Sequence, residues 1–116
     1  MNSRQAGLKR QSDALFLDAG RAPAAPTFQP GKVHWAYLSG YLALLSAVSA
    51  KEVRPIADHP NAEAALLGAK RLGLDLRDRA FAQSLATNYY NPTGMNEPFL
   101  FEVLAWARRA RTAAGW

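Results

Sequence analysis

Two residues in this sequence have side chains suited to proton transfer and phosphate binding, and four residues separate them. They are Arg54 and His59, in the segment R-P-I-A-D-H. Imidazole titrates near neutral pH, so a histidine can give or accept a proton there. Guanidinium binds phosphate through two parallel hydrogen bonds. An arginine and a histidine at this spacing are therefore the first candidates for chemistry in the chain.

Four tyrosines could line a ligand pocket with their polar tips, between the central and the fourth predicted helices. The alternative is that they are core residues whose hydroxyls are satisfied by hydrogen bonds. The pocket candidates are Tyr37, Tyr41, Tyr89 and Tyr90.

Metal and cofactor chemistry find no support in the sequence. The chain has no cysteine, and its two histidines lack carboxylates at a suitable ligand spacing. There is no glycine-rich phosphate loop, no G-x-S-x-G and no paired-histidine zinc motif, and Gly68 is an isolated glycine. We predict no metal and no cofactor.

The elements that must position these residues centre on one uncharged stretch, residues 33–50. Its large apolar side chains recur at spacings of three and four in two stripes, and a third stripe contains only small residues. A helix of this kind requires neighbours on nearly every side. We therefore predict that residues 33–50 form the central helix of the domain. The stripes are Trp35, Leu38, Leu42 and Leu45; Tyr37, Tyr41, Leu44 and Val48; and Ala36, Gly40, Ala43 and Ala47.

The chain before the central helix has the pattern of one weak helix and a linker. We expect the helix over residues 4–18. Prolines in residues 21–32 fix the backbone and remove hydrogen-bond donors, which predicts an extended connection. We assign residues 1–32 to the N-terminal helix and proline-rich connection and residues 33–116 to a helical bundle. The length of the chain indicates one domain overall.

Three further helices are expected after the central one. Pro60 is placed in the first turn of the third helix, Gly73 ends it, and Asp78 is the capping-box acid of the fourth. The predicted caps are Asp58 or His59, then Asp75, then Asn96 or Glu97. Since no strand pattern is present and short links join antiparallel neighbours, the predicted fold is all-α, an up-and-down bundle of four to five helices.

The segment from Arg54 to His59, in an all-α chain of this size, resembles the HEPN superfamily of small helical bundles. Ribonucleases of that family use an arginine followed by four to six residues and a histidine, and the order of helices after residue 33 is similar as well. The resemblance implies metal-independent cleavage of RNA in a cleft between two subunits. It implies that His59 is the general acid or base and that Arg54 stabilises charge on phosphate, which makes both candidate catalytic residues.

The last helix carries more large aromatic residues than one core face needs. They are Phe99, Phe101 and Trp106, which we take as interface candidates in a homodimer. The net charge is +5, with acid-free basic clusters near both ends of the chain. These clusters suggest cations at a helix end or a nucleic-acid patch, and we favour the first because aromatic residues do not alternate with the arginines.

Three functions remain open at this point. The leading hypothesis is a non-enzymatic binding or assembly module, because Pro55 and Pro60 keep Arg54 and His59 off a common helix face. The second is the ribonuclease, with RNA as partner. The third is a small membrane-associated protein, which we disfavour because serines, tyrosines and a histidine dilute residues 33–50. No apolar secretion segment is visible, so we expect a cytoplasmic location.

Overall fold

The computed structural model describes residues 2–21, 31–49, 51–52, 60–88 and 96–116, and over these residues the chain forms an all-α bundle of five helices without strands. The helices are α1 Ser3–Gly20, α2 Gly31–Leu45, α3 Ala62–Arg71, α4 Leu76–Thr87 and α5 Glu97–Ala113.

Polar side chains cap four of these helices at their N-termini. Asn2 forms a capping box with Gln5 at the start of α1. Asn61, Asp75 and Asn96 each accept a hydrogen bond from a backbone N–H in the first turn of the helix that follows. The caps at Asp75 and Asn96 were predicted. The cap at Asn61 corrects the placement of Pro60 in the first turn of α3, because Pro60 lies before the cap.

Helix α2 is the central helix, and α1 packs against it in the antiparallel direction. Ser12 and Ser39 are both fully buried at the crossing. The hydroxyl of each donates to the backbone carbonyl of the other at 2.8 Å, and the two oxygens lie 3.0 Å apart. This reciprocal pair satisfies two hydroxyls inside the bundle without any charge.

The end of α2 is held by side chains from two neighbouring helices. Arg4 and Gln5 of α1 donate to the carbonyls of residues 45 and 46, and Arg71 of α3 donates to the carbonyl of residue 47. Helix α2 ends at Leu45 rather than at residue 50, and the predicted range is corrected to that extent. These donors satisfy carbonyls that have no partner within the helix, and the arginine charges favour the C-terminal end of the helix dipole.

Helix α3 packs closely on α2 at Gly68. A Cβ at this position would lie 2.3 Å from the carbonyl oxygen of Leu44. Tyr41 contacts Asn61 at the start of α3, and residue 47 contacts its end. Residue numbers rise together along both helices at these contacts, so α2 and α3 run parallel. This pair therefore departs from the up-and-down pattern, in which neighbouring helices are antiparallel.

Helix α4 packs on α3 and α5 packs on α2, and long side chains join α4 to α5, which runs antiparallel to it. Asp78 at the start of α4 binds Arg109 near the end of α5 through two hydrogen bonds of 2.9 Å. Phe81 packs against Phe99 and Trp106 farther along. The Asp78 carboxylate therefore joins two helices, which corrects its predicted role as a capping-box acid.

Candidate interaction surface

The structure leaves four of the nine predicted site residues outside its described range. Arg54 and His59, the candidate catalytic pair, lie in residues 53–59, and Tyr89 and Tyr90 lie in residues 89–95. Their roles stay predictions.

Tyr37 and Tyr41 are core residues in the described part of the chain. The Tyr37 hydroxyl donates to the carbonyl of Ala82 at 3.0 Å, and the Tyr41 hydroxyl accepts from the backbone N–H of Asn61 at 2.9 Å. Burial raises the pKa of Tyr41, and the hydrogen bond from Asn61 offsets a part of that rise. Both polar tips bind backbone, which fits the core alternative that the sequence left open.

Trp106 also belongs to the core, which corrects its prediction as an interface residue. Its side chain is 0% exposed, its ring stacks on Tyr37 at 5.3 Å, and its Nε1 donates to the carbonyl of Asp78 at 3.2 Å. A side chain enclosed in this way has no surface for a second chain. Phe99 is half-buried against Phe81, with ring centroids 6.3 Å apart.

Phe101 is the interface candidate that the bundle leaves exposed, at 60%. It begins a stripe of exposed residues on α5 at spacings of four, three and four, here called the outer α5 face: Phe101, Ala105, Arg108 and Thr112. On a helix this spacing places the four residues on one side. The opposite side carries the buried Leu100, Val103 and Ala107.

The two basic ends of the chain meet beside the outer α5 face. The guanidinium of Arg108 lies over the ring of Phe16 on α1, 5.7 Å from its centroid, and Arg111 lies at 5.1 Å. Arg111 also donates to the Ser12 hydroxyl at 2.7 Å and to the Asp13 carboxylate at 2.6 Å. The basic ends therefore join α1 to α5.

The Asp13 carboxylate binds two cations at this junction, because Lys9 contacts it at 2.9 Å in addition to Arg111. Burial raises the pKa of Asp13, but the hydrogen bonds and charges of Lys9 and Arg111 outweigh that effect and hold the pKa below its usual value. Asp13 is therefore ionised at neutral pH and neutralises part of the positive charge.

The arginines at the end of α5 differ in their partners. Arg109 is held by Asp78, which raises the pKa of Arg109, and Arg111 is held by Asp13. Among the described side chains, Arg108 contacts an aromatic ring instead of a carboxylate. Arg108 is therefore the arginine of this cluster that can still take an acidic partner.

Within the described residues, no group of three or more His, Cys, Asp or Glu side chains could hold a metal ion. None of the five described helices combines the length and the apolar character that crossing a membrane requires.

Comparison of the chain with protein-family models, with curated proteins and with solved structures found no match.

Proposed function

We propose that this chain is a non-enzymatic helical binding and assembly module that forms a homodimer through the outer α5 face. The observation that carries the proposal is the exposure of Phe101 in the second turn of α5. Burying a phenylalanine fully is worth roughly 1.5–3 kcal/mol, so covering the exposed part of Phe101 contributes about 1–2 kcal/mol per copy. A two-fold interface would gain this contribution twice.

The buried polar groups support a scaffold role. Inside the bundle, the carboxylate of Asp78, the hydroxyls of Ser12 and Ser39 and the indole of Trp106 bind other parts of the chain. Groups committed in this way stabilise the fold. The HEPN-like outline and the cytoplasmic location remain parts of the proposal, and the all-α architecture supports the outline.

Light scattering over a range of concentrations tests the assembly. The parent should show twice the chain mass of 12.7 kDa, and Phe101→Ser should show the mass of one chain. Leu76→Ser is the matched control, because Leu76 on α4 is 78% exposed and is not one of the residues of the outer α5 face. It should stay dimeric. A parent whose mass is that of a single chain at every concentration would contradict the proposal.

An RNA cleavage assay tests the non-enzymatic part. The parent should show no activity above a mock purification, and His59→Ala should change the free energy of unfolding by no more than about 1 kcal/mol, because the cap of α3 is Asn61 and stays in place. Cleavage by the parent that disappears in both His59→Ala and Arg54→Ala, with each variant folded, would establish the ribonuclease instead.

A further inference from the structure

We infer that two copies of this chain pair through antiparallel α5 helices that cross near Ala105. The inference rests on the proposed homodimer and adds the direction of the partner helix, the residue at the crossing and the charges that select this direction.

The shape of the outer α5 face supports a helix as the occupant. Its spacings of four, three and four are those with which one helix packs along another. Ala105 lies inside the stripe, and its small side chain allows a second backbone to approach closely. Phe101 lies one turn before it and supplies the large apolar surface.

The distribution of charge along α5 selects the direction. Glu102 precedes Ala105, and Arg108, Arg109 and Arg111 follow it with no acid among them. A parallel partner would place arginines beside arginines. An antiparallel partner places Glu102 of each copy beside the arginine end of the other, which is the complementary arrangement.

Glu102 and Arg108 are both available for this contact. The Glu102 carboxylate is more than half exposed and lies 3.9 Å from Arg77, at the outer limit of an ion pair. Arg108 is exposed and rests on the ring of Phe16. Arg109 and Arg111 are already bound to Asp78 and Asp13, so the pair across the interface is Glu102 with Arg108.

Charge reversal tests the pairing. Glu102→Arg and Arg108→Glu should each raise the dimer dissociation constant about tenfold at low salt, since the two-fold axis repeats every exposed pair. The double variant restores opposite charges and should return the constant to within about threefold of the parent. If the double variant weakens the dimer by as much as the two single effects added together, the pairing is wrong. Circular dichroism checks that each variant keeps its helices.

Cysteine cross-linking tests the direction, and the chain has no cysteine of its own. Ala105→Cys should form a disulfide with its copy. Thr112→Cys should not, because at 1.5 Å rise per residue its two copies lie about 20 Å apart when the helices cross at Ala105. Efficient disulfides at both positions would show a parallel pair and overturn the inference.

The remaining outcomes separate the inference from the proposed function. A dimer that links at neither Ala105→Cys nor Thr112→Cys would overturn the α5 crossing and keep the homodimer. A parent that is a monomer at all concentrations would overturn both.

Discussion

Replacing Gly40 by alanine tests the closest approach between α2 and α5. A Cβ at residue 40 would lie 2.4 Å from Cζ3 of Trp106 and 3.0 Å from the Cα of Ala107. Carbon atoms in contact prefer about 3.5–4.0 Å. The Trp106 ring cannot yield easily, because it stacks on Tyr37 and its Nε1 is bonded to the carbonyl of Asp78. The helices must therefore separate to admit one methyl group.

The magnitude follows from two opposing effects. Overpacking a core costs about 1–3 kcal/mol. The new methyl group of Gly40→Ala would meet the fixed ring of Trp106 and the backbone of Ala107, and neither can move easily, so we expect a cost near the upper value. Alanine in a helix interior is favoured over glycine by about 1 kcal/mol. The net loss is about 2 kcal/mol, which lowers the melting temperature of a chain of this size by about 8 °C.

Gly7→Ala is the matched control on α1. The nearest atom to a Cβ at residue 7 is a guanidinium nitrogen of Arg10 at 3.9 Å, an ordinary contact. The same chemical change should therefore stabilise the protein here, by up to about 1 kcal/mol. Urea unfolding followed by circular dichroism measures both variants. If Gly40→Ala proves as stable as the parent, the close packing of α2 on α5 is wrong.

Three further predictions concern a buried leucine, a buried serine and an ion-paired aspartate of the bundle. Leu44→Asp should remove the protein from the soluble fraction, because Leu44 is fully buried and a carboxylate there would have no partner; normal yield would refute this. Ser12→Ala should cost about 1–2 kcal/mol in urea unfolding, because the carbonyl of Ser39 loses its donor. The lowered pKa of Asp13 implies stability that is present above the unfolded pKa of about 3.9 and is lost as pH falls through the folded value. The difference in stability between the parent and Asp13→Asn should therefore vanish at low pH, and a constant difference would contradict the assignment.

Local signals in the sequence predicted most of the helices. The uncharged stretch gave the central helix, and short polar residues before apolar runs gave the caps at Asp75 and Asn96, because a cap is a contact within four residues of chain. Asn61 carries the same signal, but Pro60 beside it led to a start that was placed too early. Pro60 lies outside the helix, and Asn61 accepts the hydrogen bond from the first turn.

Contacts between distant helices could not be predicted in this way. The residues around Gly68 in the sequence give no sign that the backbone of Leu44 passes beside it. Asp78 has the position of a capping acid, yet Arg109, 31 residues away, determines where its carboxylate points. Trp106 looked like a surface aromatic because periodicity shows which side of a helix is apolar without showing how many neighbours cover it.

The reciprocal pair between Ser12 and Ser39 has a consequence for how α1 can move. A slide of α1 by one turn along α2 would separate both hydroxyls from their carbonyls and leave polar groups in a dry interior. The two hydroxyls carry no charge, so salt, and pH between 4 and 9, can act on them only through the hydrogen bond that Arg111 donates to Ser12. The alignment of α1 with α2 should therefore persist under conditions that loosen the ion pairs around it, and α1 should leave the bundle only by detaching as a whole.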